Sequence, residues 1–190
     1  MDTSFHYDLA EKNLNFKLRE RLVVPPGIEL KGKGLFNTVS GNLNYSGTLR
    51  GVLKTRPEVK DEGSLPWKFG GGVHVASSED QPGKLPAPQL HASVKKVVSL
   101  LEGPRTVLSS KAWVNVDPKA QKFTDRKGSI KISHKWMGFT QRQDLKLSAG
   151  LDVSWPTKAN EPTSTPFLQV RENNWALNYR NKHWFCTYDL

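Results

Sequence analysis

The run Leu43-Asn44-Tyr45-Ser46-Gly47-Thr48-Leu49-Arg50-Gly51-Val52-Leu53-Lys54 decides the fold. Leu43, Tyr45, Gly47, Leu49, Gly51 and Leu53 fall at every second position, with Asn44, Ser46, Thr48, Arg50 and Lys54 between them. A period of two marks a β-strand, whose successive side chains point to opposite faces. Soluble strands run to about 5–6 residues. This alternation is longer, and it suits a strand tilted across a bilayer, which needs roughly 9–11.

The same period extends in both directions. Upstream, Leu14, Phe16, Leu18 and Leu22 oppose Lys17, Arg19 and Arg21. After the turn Pro25-Pro26-Gly27, the set Ile28, Leu30, Gly32, Gly34 and Phe36 opposes Glu29, Lys31 and Lys33. Downstream, Trp67, Phe69, Gly71, Val73 and Val75 face away from Lys68 and His74, and Leu90, Ala92, Val94 and Val98 from His91, Ser93 and Lys95. Leu108, Ala112, Val114 and Val116 then oppose Ser109 and Lys111, and Ile130, Ile132 and Trp136 oppose Lys131, Ser133 and Lys135. Leu145, Leu147, Ala149, Leu151 and Val153 oppose Asp144, Lys146, Ser148 and Asp152. Thr3, Phe5, Tyr7 and Leu9 form a first strand, and Trp175, Leu177, Tyr179 and Trp184, Cys186, Tyr188, Leu190 close the chain, for about twelve strands in all. No stretch carries a convincing helical stripe, and only Val94 to Leu101 reads either way. Breaks fall at Arg56-Pro57, Ser77 to Pro88, Gly103-Pro104, Asp117-Pro118 and Pro156 to Pro166. The alternation is alike on both sides of each, so these are loops within a single domain spanning 1–190.

Composition narrows the function. The 190 residues carry 28 Lys+Arg against 18 Asp+Glu, a formal charge of +10, and the mean hydropathy is −0.57. The longest apolar run, Val97 to Leu101, falls far short of the ~18 residues of a membrane helix, whereas a transmembrane barrel keeps its average hydropathy low because only alternate residues meet lipid. A lone Cys186 excludes an intramolecular disulfide, and His6, His74, His91, His134 and His183 have no metal-ligand spacing. No catalytic constellation and no cofactor are expected. Gly70-Gly71-Gly72 has no following Gly-Lys-Ser/Thr and sits inside a strand pattern, so it reads as structural. The opening Met1 to Lys12, with Asp2, Asp8 and Glu11, reads as neither signal nor transit peptide, so insertion without a cleaved presequence is expected.

The charge is sorted by face. Opposite the apolar set stand thirteen bases, Lys17, Arg19, Arg21, Lys31, Lys33, Arg50, Lys54, Lys68, Lys95, Lys111, Lys131, Lys135 and Lys146, against three acids, Glu29, Asp144 and Asp152. Glu20, Lys96 and His134 are the polar exceptions on the apolar side. That side is rich in glycine and aromatics, which would fill a soluble interior poorly but suit a lipid-facing wall with aromatic girdles. The expected fold is all-β, a closed antiparallel transmembrane β-barrel of about twelve strands with the bases lining its pore and membrane lipid around it. The alternative is a soluble basic β-barrel binding RNA or single-stranded DNA, which needs aromatics among the bases for stacking. Most Trp and Phe fall on the other face, with Trp113 and Phe185 the counter-examples, so no nucleic-acid partner is expected.

Phe167-Leu168-Gln169-Val170-Arg171-Glu172-Asn173-Asn174-Trp175 and the terminal Tyr188-Asp189-Leu190 resemble the chloroplast outer envelope pore protein 21 family. Met1-Asp2-Thr3-Ser4, Phe69-Gly70-Gly71-Gly72-Val73-His74 and Lys95-Lys96 are similar as well, while Ser77 to Pro88 departs from the pattern, as in a divergent member or paralogue. The resemblance implies a plastid outer-envelope barrel, in chloroplasts or etioplasts, that passes inorganic anions, phosphate and phosphorylated metabolites such as triose phosphates and 3-phosphoglycerate. It also implies regulation by ATP. The family's nucleotide motif, Phe followed after four residues by Lys, is met one position early by Phe123 and Lys127, so no nucleotide-site residue is carried over. Neither reading sets an oligomeric state.

Overall fold

A computed structural model describes residues 2–55, 64–77, 86–100, 105–140, 143–156 and 161–190. In chain order the strands are β1 (Asp2–Asp8), β2 (Leu14–Val24), β3 (Ile28–Asn37), β4 (Leu43–Lys54), β5 (Ser64–Ala76) and β6 (Gln89–Ser99). They continue with β7 (Thr106–Asp117), β8 (Lys122–Thr140), β9 (Gln143–Ser154), β10 (Thr163–Glu172), β11 (Trp175–Arg180) and β12 (His183–Asp189). Each pairs antiparallel with its neighbours in sequence, and β1 pairs with β12 from Ser4↔Asp189 to Asp8↔Phe185, so the sheet closes into a twelve-stranded barrel. Closure leaves no edge strand with unpaired backbone groups, which a bilayer would not tolerate.

The turns follow from local chemistry. The side chains of Asp8, Asn37 and Asp117 each accept two backbone N–H groups from the residues two and three positions on, which closes the β1–β2, β3–β4 and β7–β8 connections at one end of the barrel. At that same end Asn181 and Lys182 both take positive φ, as a two-residue hairpin between β11 and β12 requires.

The register sorts side chains as the alternation expects. Leu22, Leu30, Leu49, Val73, Leu90 and Val116 lie directly opposite one another across β2 to β7, an unbroken apolar row. All but the half-buried Val116 are exposed, Leu49 being 51% accessible, and Leu53 (76%), Leu43, Tyr45, Leu147 and Leu151 share that face. Among the described residues Ala176 is the sole buried hydrophobic, at 5% accessibility. A soluble protein of this size has an apolar interior, and this barrel reverses the arrangement, with its apolar surface turned to the bilayer.

Two readings resolve on the structure. Of Val94 to Leu101, ambiguous in sequence, residues 94–99 lie within strand β6 and Leu101 lies outside the described residues. The break Pro156 to Pro166 is shorter than expected, because β10 begins at Thr163 and Pro166 stands in register with Leu151. The proline is accommodated because β11 pairs with β10 only from Phe167 onward, so no ladder is interrupted on that side. Arg56-Pro57, Gly103-Pro104, residues 78–85 of the Ser77 to Pro88 stretch and residues 157–160 lie outside the described residues.

Candidate pore and its charged lining

The inner face is organised in rows of like charge. Lys54, Lys68, Lys95 and Lys111 stand directly opposite one another across β4, β5, β6 and β7. Arg19 is paired with Lys33, Arg21 with Lys31, and Lys135 with Lys146, which in turn faces Arg171. Like charges directly opposite are destabilising in a sheet, by up to about 1 kcal/mol per pair. Repetition of the arrangement around one wall is therefore an energetic cost that fold stability alone does not explain.

Lys17, Arg19, Lys95, Lys111 and Lys131 line a central cavity of about 950 Å³, together with residues of β1 and of β9 to β12, among them His6, Asp152, Arg180 and Thr187. Arg50 shares this face, since it stands opposite Glu29 on one side and Gly72 on the other. By strand register Arg21, Lys31, Lys33, Lys54, Lys68, Lys135 and Lys146 share the parity of these residues, although they are not among those that line the cavity. Among the described residues, Lys17, Arg19, Lys33, Lys68, Lys95, Lys111, Lys131 and Lys146 have no carboxylate within ion-pair distance. Lys111 instead lies 4.2 Å from the ring centroid of Trp113, the inward tryptophan, in a cation–π contact.

Five carboxylates on the inner face are tied to a base, whereas Asp2, which also lines the cavity, forms no ion pair among the described residues. Glu29, 2% accessible, takes Arg21, Lys31 (3.2 Å) and Arg50 (Nε at 2.6 Å). Asp144 pairs with Lys135 at 2.6 Å, Asp152 with Arg180 at 2.6 Å, Asp125 with Lys127 at 3.1 Å, and Asp189 with Arg171. Lys127, Arg171 and Arg180 are inner-face bases that the sequence reading left out. Arg171 and Arg180 share the parity of Gln169 and Asn178 on β10 and β11, and extending the alternation to those strands would have found them. Phe123 and Lys127 stand on opposite faces, the first against Val116 and the second against Trp113, so they do not form one site.

The polar exceptions on the outer face have local accommodations. Lys96 reaches over the Trp67 ring at 5.4 Å, and His134 accepts or donates a 2.6 Å hydrogen bond with Thr106 while packing edge-on against Trp136 at 4.3 Å. Glu20 stands opposite Gly32 on the exposed surface. Aromatics cluster near both rims, with Tyr7, Tyr45, Trp155 and Trp184 toward one end and Trp67, Trp136, Trp175 and Tyr188 toward the other, as interfacial girdles require.

A chain of this geometry can conduct small solutes through a basic lumen. Its sequence matches the family model described as chloroplast outer envelope pore protein OEP21 over residues 3–190. No curated protein sequence matches it. Among solved structures it is similar to a KdgM porin, with TM-score 0.61 and 8% identity over 99% of this chain and 95% of that one. It is also similar to a KdgM porin in complex with disordered oligogalacturonate (TM-score 0.59, 9% identity, 100% and 96% covered). The NanC porin has TM-score 0.55 and 7% identity, with 99% and 97% covered. At these identities the likeness is one of fold.

Proposed function

This chain belongs to the chloroplast outer envelope pore protein OEP21 family, and we propose that within the outer envelope it is an anion-selective pore for inorganic phosphate and phosphorylated metabolites. The porin-like barrel makes it a channel of that membrane; selectivity, substrate class and modulation by nucleotides are the proposal.

The observation that carries the reading is the row Lys54, Lys68, Lys95 and Lys111 along the inner wall, with no carboxylate at ion-pair distance from any of the four among the described residues. Fixed positive charge in a narrow lumen raises the local concentration of anions, and rings of Lys and Arg are how pores favour phosphate-bearing solutes. Multivalent phosphates gain more from such a field than chloride does, so triose phosphates and 3-phosphoglycerate fit the lining better than neutral sugars. A nucleotide polyphosphate competes for the same cations, and this is how ATP reduces flux in the proposal.

Reversal potentials of the purified protein in planar bilayers under a KCl gradient test the reading. Chloride preference is expected, together with a fall in chloride current on adding millimolar phosphate, triose phosphate or ATP. Preference for potassium, or chloride current indifferent to all three, would remove the proposal while leaving the barrel intact.

A further inference from the structure

Glu29 stands apart from the other inner acids. It is almost fully buried, it lies on β3 within a lumen dominated by bases, and its carboxylate is shared by cations from three strands: Arg21 of β2, Lys31 of β3 itself and Arg50 of β4. Arg50 divides its guanidinium, with Nε on Glu29 at 2.6 Å and Nη1 donating to Ser93 of β6 at 2.7 Å. To reach β6 it lies across β5, where the residues on the inner face are Gly70 and Gly72. A Cβ at Gly70 would sit 2.8 Å from the Ser93 hydroxyl and 3.2 Å from the Arg50 side chain, and one at Gly72 would meet the Leu49 carbonyl at 2.0 Å. Gly70 thus makes room for the Arg50 side chain on its way to Ser93, and Gly72 lets the β4 backbone approach closely beside it.

Two guanidiniums and an ammonium converging on one carboxylate are also what a phosphate dianion would find attractive, since Arg matches planar carboxylate and phosphate oxygens with paired hydrogen bonds. We infer that Glu29 is a tethered counter-anion that occupies an oxyanion site made by Arg21, Lys31 and Arg50, and so keeps permeating phosphates from lodging there. The inference rests on the anion-pore reading. A pore needs binding strong enough to draw the solute in and weak enough to release it. Glu29 lowers the charge of this cluster of three cations by one and occupies the point where they converge, and it leaves the lysine row, which has no carboxylate partner among the described residues, to guide traffic. The chemical class excluded is the phosphate dianion, whether free or esterified to a small metabolite.

The test compares two variants that change the lumen charge equally. Glu29→Gln frees a cluster of three cations, whereas Asp152→Asn frees Arg180 alone. In planar bilayers, the concentration of inorganic phosphate that halves the chloride current is expected to fall at least tenfold for Glu29→Gln and less than twofold for Asp152→Asn. In the double variant Glu29→Gln/Arg50→Gln, which restores the charge balance and removes a guanidinium, it is expected to return to within threefold of the unmutated value. Equal shifts in the two single variants would mean that only net charge matters, and would overturn the inference. If Glu29→Gln does not insert as a folded barrel, Glu29→Asp carries the test. Its shorter carboxylate cannot span Arg21 and Arg50 together, so phosphate block is expected to strengthen at least threefold, and unchanged block overturns the inference. An unmutated pore that prefers potassium overturns this and the preceding reading together. An anion-selective pore whose phosphate block ignores Glu29→Gln overturns this one alone.

Discussion

Alternating the sign of the lysine row should make the protein more stable and less selective at once. In the structure Lys54, Lys68, Lys95 and Lys111 make three successive like-charge contacts across four strands. The double variant Lys54→Glu/Lys95→Glu turns all three into opposite-charge contacts. A cross-strand charge pair is worth roughly 0.2–1 kcal/mol, so passing from repulsion to attraction at three contacts should stabilise the barrel by about 2 kcal/mol. The same substitutions change the lumen charge by about four units. A unit charge about 8 Å from the pore axis contributes on the order of 0.5 kcal/mol in a water-like dielectric, and about 0.2 kcal/mol after screening at 0.1 M salt. Four units therefore cost a monovalent anion about 1 kcal/mol, close to a fivefold loss of occupancy, while potassium gains by a similar factor. Thermal unfolding in detergent, followed by circular dichroism or by the electrophoretic mobility of heated samples, reads the first effect, and reversal potentials read the second. If the variant melts lower than the unmutated protein and keeps its chloride preference, the row does not face a shared lumen and the reasoning fails.

Other outcomes follow from the same geometry. Raising the salt from 0.1 to 1 M shortens the Debye length from ~10 to ~3 Å, so anion preference should collapse toward unity in reversal-potential measurements; a preference that survives points to direct ligation in place of a field. Leu49→Arg, on the outer apolar row, should destabilise the barrel by about 2–4 kcal/mol in lipid, whereas Thr48→Arg one residue away on the inner face should cost under about 1 kcal/mol. Equal unfolding midpoints for the two in a urea titration from lipid vesicles would contradict the assigned faces. Gly72→Ala places a methyl 2.0 Å from the Leu49 carbonyl and 2.6 Å from the Arg50 Cα, so the β4–β5 ladder must part. A loss of about 1–3 kcal/mol is expected, against a negligible change for Gly71→Ala, whose methyl would meet nothing within 4 Å.

The alternation from Leu43 to Lys54 and its repeats elsewhere determined the strand count, the two faces and the sorting of charge, because the pleat fixes a side chain's face by parity alone. Parity needs no partner, so Lys17, Arg50 and Lys146 could be assigned to the face opposite Leu49 and Leu147 from sequence spacing. The sequence left open which residues stand opposite one another, since register and closure depend on turns and on pairing between distant segments. Only the folded barrel brought Lys54, Lys68, Lys95 and Lys111, spread over more than fifty residues, into one row, and joined Ser4 to Asp189. Only there did Glu29 separate from Asp144 and Asp152. In sequence it is one acid of three on a basic face, but in the barrel it lies where the side chains of three adjacent strands converge, and it holds three cations while each of the others holds one. The physical reason is that facing direction is a local property of the backbone, whereas an ion pair between strands requires two side chains to meet in space, which the register alone decides.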